Sequence, residues 1–168
     1  MEYWDLYDKE GQLVSQKHPS SEQIPDGLYH LVVTLLIQHE NGPILLTQRS
    51  HAKKIFPGKW EATISGRVQV GEDYVAEIQR ELKEELGWQL NDIELINSVV
   101  DEQFQIIIYN LYARVDVPHD PIVFNEAEIS DYRWGSVEEM LLLIRQETII
   151  EYSKRDFSLY PLVRLGEN

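Results

Sequence analysis

Cysteine is missing altogether from the 168 residues, which excludes disulfides, thiolate metal centres and thiol nucleophiles together. A thiol-free chain fits a reducing compartment. No apolar run approaches the roughly 18 to 20 residues of a membrane span. The opening Met1-Glu2-Tyr3-Trp4-Asp5 has neither the basic nor the apolar region of a secretory leader. The expectation is a cytoplasmic protein without membrane contact. Positive charge is scarce as well: 15 Lys and Arg against 29 Asp and Glu leave a net charge of -14 and a pI near 4.7. Such a balance disfavours a grip on nucleic acid through its phosphates, so no nucleic-acid partner is expected. Acidity by itself speaks only of solubility. It does raise the question of how an anionic substrate would be held, and divalent cations with a few local Lys and Arg side chains would answer it.

What is present suffices for one core, since 43% of the residues are hydrophobic. One domain is expected over 1–168: a hairpin and arm over about 1–27, a core over 28–150 and a C-terminal extension over 151–168. Trp4 to Tyr7 and Gln12 to Val14 read as two strands joined by a turn ending in Gly11. Lys17 to Gly27, with Pro19 and Pro25, reads as an irregular connector. His30 to Ile37 is apolar and β-branched, and the turn Glu40-Asn41-Gly42-Pro43 hands it to a second strand from Ile44 to Gln48. A short strand over residues 60 to 70 enters Gly66. Ile93 to Val100 and Phe104 to Val115 read as strands. Asp73 to Leu86 reads as a helix with acidic residues at its start, Val75, Ile78, Leu82 and Leu86 on its apolar stripe and Gly87 as its stop. A last helix starts at Ser136, where Ser136 and Glu139 fit a capping box and Met140, Leu141, Leu143 and Ile144 form the core face. Strands before and between the two helices point to an α/β (α+β) sandwich with a mixed sheet between helices.

The first helix carries an excess of acid. Glu81 is a helical neighbour of Glu77, Glu84 and Glu85, so these carboxylates share a face opposite Ile78 and Leu82. Each like-charge pair at this spacing costs a few tenths of a kcal/mol, about 0.2–0.5, on an exposed helix. A hard divalent cation is the natural counter-ion. For an isolated E-x-x-E-E run the ordinary explanation is a solvated face whose charge Arg80 and Lys83 balance. The flanking residues reverse that. Gly66 is followed by five residues and Glu72, then by seven residues and Arg80-Glu81-Leu82, then by Lys83-Glu84-Glu85-Leu86-Gly87-Trp88. From average residue usage, a chance match to so spaced a pattern is on the order of 10⁻⁸ per start.

This run resembles the Nudix box, G-x5-E-x7-R-E-U-x-E-E-x-G-U with U a bulky apolar residue. Two positions depart from the usual pattern: Trp88 is aromatic where an aliphatic residue is common, and Glu77 stands where relatives commonly carry Ala. The resemblance implies a Nudix-type α/β/α sandwich and a Mg²⁺-dependent hydrolase, with Mn²⁺ as a substitute, acting on a small-molecule diphosphate. It implies Glu81, Glu84 and Glu85 as metal ligands and Glu72 with Arg80 as a supporting pair. Gly66 and Gly71 would form a tight loop whose backbone approaches a phosphate. Family members take the proton from water with a Glu inside the box or on a later loop. Besides Glu81 and Glu84, the candidates for that catalytic role are Glu128 first, Glu102 second, and Glu126. For each later Glu the ordinary alternative is a surface carboxylate.

Upstream, Arg49-Ser50-His51-Ala52-Lys53 and Phe56-Pro57-Gly58-Lys59-Trp60, with His30 ahead of them, are similar to the branch containing isopentenyl-diphosphate isomerase and its hydrolase-like relatives. The similarity implies that Arg49 and Lys53 contact the substrate diphosphate; a solvated basic loop is the plain alternative. The isomerase's catalytic Cys would fall near Ile64 and a metal-binding His near Arg67, so isomerisation is disfavoured. His30, by itself, reads as a hydrogen-bonded core histidine. Hydrolysis of a diphosphate linkage, in a nucleoside di- or triphosphate or a nucleoside diphosphate derivative, leads. An isomerase and a non-catalytic Nudix ligand sensor are its rivals, and the N-terminal hairpin offers a surface for a homodimer.

Overall fold

A computed structural model describes residues 1–116, 122–150 and 155–162. Ten strands and two α-helices follow in the order β1 (Tyr3–Tyr7), β2 (Leu13–Pro19), β3 (His30–His39), β4 (Ile44–Arg49), β5 (Trp60–Glu61), β6 (Thr63–Arg67), α1 (Tyr74–Leu86), β7 (Glu94–Asp101), β8 (Ile106–Val115), β9 (Ile129–Gly135), α2 (Val137–Arg145) and β10 (Ile149–Ile150). A single 3₁₀ turn, Phe157–Leu159, comes last. The anticipated C-terminal extension, 151–168, lies largely outside the described residues.

The main sheet is mixed, as expected. Its axis is β3, which runs parallel to β8 over its whole length, from His30 opposite Ile106 to His39 opposite Val115. On its other edge β3 pairs antiparallel with β6 and, at its far end, with β4. Strand β4 in turn carries β9 and β5. Strand alternation divides β3 between two cores. Val33, Leu35 and Ile37 face α1, packing with Ile78, Leu82 and Leu86, whereas Leu36 joins Ile44, Leu46 and Tyr112 beneath Val137 and Met140 of α2. A sheet with one helix on each face is the α/β/α sandwich anticipated from sequence. Burying each of Ile78, Leu82 and Leu86 contributes about 1.5–3 kcal/mol.

Both helices begin where their caps indicate. Asp73 accepts from the Ala76 N–H at 2.8 Å, and Ser136 Oγ from the Glu139 N–H at 3.0 Å. Gly87 closes α1 in the left-handed region at φ 68°, its N–H returned to the last turn. Trp88 packs half-buried on the α1 core, which gives its aromatic ring a packing role. Val75 is a correction: it is 43% exposed, because the stripe of α1 that meets the sheet runs through Tyr74, Ile78, Leu82 and Leu86. The N-terminal hairpin is present but longer than expected. Strand β2 continues through Lys17 to Pro19, pairing Tyr3 with Pro19 and Trp4 with His18, so tertiary pairing overrides the turn character of that segment. Strands β9 and β10, and the split of residues 60–67 into β5 and β6, go beyond the element order expected from sequence.

Candidate active site

The acidic end of α1 faces a cavity of about 260 Å³. Thr47 and Arg49 come from β4, Lys53 from the following loop, Glu61 from β5 and Ser65 from β6. Glu81, Glu84 and Glu85 come from α1, and Glu128 and Ile129 from the start of β9. Five carboxylates and two cations therefore meet in one small space. Backbone hydrogen bonds hold the contributing segments together. Asn125 N–H donates to the Glu85 carbonyl at 3.0 Å, and Ser50 N–H to the Glu128 carbonyl at 2.9 Å. The helix end, the β4 loop and the Glu128 turn are thus one hydrogen-bonded frame.

Each cation arrives already paired. Arg49 Nη1 lies 3.4 Å from Glu61 Oε1, and Lys53 Nζ pairs with the Glu128 carboxylate. Arg49 Nε also donates to the Ile55 carbonyl at 3.0 Å, anchoring the loop that carries Lys53. Glu61 is the residue that sequence reasoning left without a role. Its period-two pairing with Thr47 on the neighbouring strand is what turns it into the cavity, and no local motif announces it.

The carboxylates are strongly perturbed. Burial pushes the Glu81 carboxyl up to about 8, helped by a hydrogen bond to Glu77 and the charges of Glu77 and Glu84. Burial likewise pushes Glu85 up to about 8, with Glu81, Glu61 and Glu128 adding to it and Lys53 opposing. Acids that hold protons this far above the carboxylate range lack an adequate counter-charge, and an oxygen donor set of this kind fits a hard divalent cation. Among the described residues no three His, Cys, Asp or Glu side chains are already closed around one point as a cage; the acids share a cavity rather than a finished coordination shell.

Arg80 sits outside the cavity. Its guanidinium pairs with Glu77, lies 3.7 Å from Glu84 and reaches Glu72 only at 3.8 Å. The expected Glu72–Arg80 brace is therefore centred on a different partner. Glu77, placed by sequence on the acidic face, is only 1% exposed, and burial raises its carboxyl pKa against the opposing charge of Arg80. Gly66 also has a different reason from the one expected. It lies within β6 rather than in a loop, and a Cβ there would stand 2.4 Å from Glu77 Oε1 and 2.7 Å from Glu81 Cγ. Its missing side chain lets the acidic face of α1 approach the strand.

Of the later acids, Glu128 reaches the cavity, and Glu126 is exposed on the turn before it. Glu102 lies on the hairpin side of the molecule, 2.7 Å from Lys9. Ile64 is buried in the α1 core, and its neighbour Ser65 lines the cavity. His30 is buried as expected, but no hydrogen bond reaches its Nδ1. It stacks instead on Trp4 at 4.0 Å, and the Arg67 guanidinium lies 5.4 Å over the same Trp4 ring. Burial and Arg67 lower the His30 pKa to about 4.

Residues 28–157 match the model of the NUDIX domain family. An uncharacterized Nudix hydrolase of Listeria innocua is 28% identical over 90% of both chains. An isopentenyl-diphosphate Delta-isomerase of Klebsiella pneumoniae is 28% identical over 81% of this chain and 77% of its own. A crystal structure of a Deinococcus radiodurans protein superposes with a TM-score of 0.73 at 22% identity, covering 89% of this chain and 93% of that one. That last likeness concerns the fold.

Proposed function

The chain belongs to the NUDIX domain family, and from that premise we propose that it is a divalent-metal-dependent hydrolase of a diphosphate linkage in a small molecule, with Mg²⁺ as the working ion and Mn²⁺ as a substitute. The single observation that supports this best is the cavity in which Glu81, Glu84 and Glu85 face Arg49 and Lys53. Glu81, Glu84 and Glu85 would hold the cation. When bound, the cation neutralises phosphate oxygens and lowers the pKa of water, so that attack on phosphorus proceeds near neutral pH.

The protein's own side chains supply the rest. Arg49 and Lys53 bind and orient the diphosphate, exchanging their present carboxylate partners Glu61 and Glu128 for phosphate oxygens. Glu128, once parted from Lys53, accepts the proton of the attacking water. Glu81 would hold the cation as its carboxylate, without the proton it now shares with Glu77, and Glu77 would keep its pairing with Arg80. Bond cleavage then forms one new P–O bond to water oxygen and releases the other phosphate as leaving group.

Purified protein given Mg²⁺ and a panel of nucleoside diphosphates, nucleoside triphosphates and nucleoside diphosphate derivatives is expected to release phosphate or a monophosphate. Absence of metal-dependent turnover across the panel would overturn the proposal. Isomerisation is the weaker reading. The chain has no thiol, Ile64 is buried against α1, His30 is buried and stacked on Trp4, and the position of the second isomerase histidine holds an exposed arginine, Arg67.

A further inference from the structure

Strand β1 is buried on both of its faces at its middle. Trp4, Asp5 and Leu6 are 6%, 7% and 1% exposed, three consecutive buried residues in a five-residue strand. The register shifts between Trp4 and Leu6, and Lys17 opposite them stands at φ +58°. The extra residue belongs to β2, where Gln16 and Lys17 together oppose Asp5, so this is a β-bulge of β2. A left-handed conformation at a non-glycine residue is uncommon and persists where the surroundings hold it. The side chain facing the bulge is the Asp5 carboxylate, a group rarely buried without partners.

Asp5 has two backbone partners. Oδ1 accepts from the Lys17 N–H at 3.2 Å, which fixes the bulge. Oδ2 accepts from the Gly71 N–H at 2.9 Å, across 66 residues of sequence. Gly71 sits at φ +75° in the turn joining β6 to α1, next to Glu72 and two residues before the Asp73 cap. Two further contacts hold the hairpin in place. Tyr7 and Tyr29 exchange backbone hydrogen bonds at 2.8 and 2.9 Å, and the Trp4 ring stacks on His30 and meets the guanidinium of Arg67, the last residue of β6. The hairpin therefore grips the β6–α1 turn at both ends, by Arg67 on one side and Gly71 on the other.

We infer that Asp5 is a positioning residue for the active site: by accepting the Gly71 N–H it fixes the turn that sets the register of α1, and so the placement of Glu81, Glu84 and Glu85 against Arg49 and Lys53. The N-terminal hairpin is on this view a part of the catalytic apparatus. This rests on the hydrolase reading for its kinetic consequence, while the structural link stands separately. An outer hydrogen bond of this kind is commonly worth about 10- to 100-fold in activity.

The test compares Asp5→Ala with Asp5→Asn, whose one amide oxygen can keep the Gly71 bond only by turning its NH2 toward the Lys17 N–H. Asp5→Ala is expected to lower kcat about 10- to 100-fold with KM moving less than about threefold, and to speed amide exchange of Gly71 in the metal-free protein at least about tenfold. Asp5→Asn is expected to fall between Asp5→Ala and the parent in both. Leu13→Ala, on the exposed side of the same hairpin, serves as the control and leaves both unchanged. Parental kcat together with parental Gly71 exchange in Asp5→Ala would overturn the inference. Should Asp5→Ala fail to fold, the shorter acceptor in Asp5→Ser reads the same link, an intermediate value being expected and a parental one contradicting it. If the parent turns over no diphosphate at all, the functional reading falls, and the exchange measurement alone decides the Asp5–Gly71 link.

Discussion

The two helices of this fold pack on opposite faces of one sheet and obey different rules. Helix α2 keeps its charges at the surface: Glu139 pairs with Arg133 at 2.8 Å, and both side chains are more than a third exposed. Helix α1, with 13 residues against 9, also lays an apolar stripe on the sheet, yet it buries Glu77 and drives Glu81 and Glu85 to hold protons. A helix built only for packing has no reason to do this, because an unpaired buried charge costs several kcal/mol. The difference marks α1 as a helix in which packing was subordinated to chemistry.

The largest expected effects separate the two helices by activity. Glu84→Gln and Glu85→Gln should each lower Mg²⁺-dependent turnover by about 10²-fold or more, while Glu138→Gln on α2 leaves it unchanged in a phosphate-release assay. Chelation with EDTA should abolish turnover, and added Mg²⁺ should restore it. Next comes the close approach beneath α1. Gly66→Ala should destabilise the protein by about 1–3 kcal/mol in urea unfolding, with lowered turnover, because its Cβ would meet Glu77 and Glu81.

A pH comparison sharpens the same contrast. Carboxyls raised to about 8 in the folded protein bind protons more tightly than in the unfolded chain. Their contribution is therefore full at low pH and is lost as pH rises through about 8. His30, lowered to about 4, acts oppositely: the unfolded chain takes up its proton first, so its contribution is lost as pH falls below the ordinary histidine range. Between pH 6.5 and 8 the carboxyl effect stands apart. The metal-free protein should melt at a lower temperature at pH 8 than at 6.5, and saturating Mg²⁺ should reverse or flatten that slope. A melting temperature that rises over this window without metal would contradict the assignment. The smallest effect belongs to α2, where Glu139→Gln should cost less than about 1 kcal/mol, since the lost pair is exposed.

Much of the α1 side was legible in the sequence because its signals are local. The Asp73 cap, the Ile78–Leu82–Leu86 stripe and the Gly87 stop all lie within one helix, and fixed spacing singles out Glu81, Glu84 and Glu85. What stayed hidden depends on pairing between distant segments. Glu61 enters the cavity through its register with Thr47, Arg80 takes Glu77 rather than Glu72 as its nearest partner, and Gly66 is required by helix approach rather than by a loop. Asp5 shows the same limit most clearly. Its partners are the Lys17 N–H in a bulge of β2 and the Gly71 N–H 66 residues away, and strand periodicity alone would have placed it in solvent.

The central claim, that the cavity between α1 and the Arg49–Lys53 loop hydrolyses a diphosphate by water attack on phosphorus, is tested most directly in oxygen-18 water. Reaction of the panel substrates with Mg²⁺ is expected to place the label in one phosphate product, and Glu84→Gln is expected to stop its appearance. Turnover that proceeds unchanged in Glu84→Gln, or product that carries no label from water, would contradict the claim.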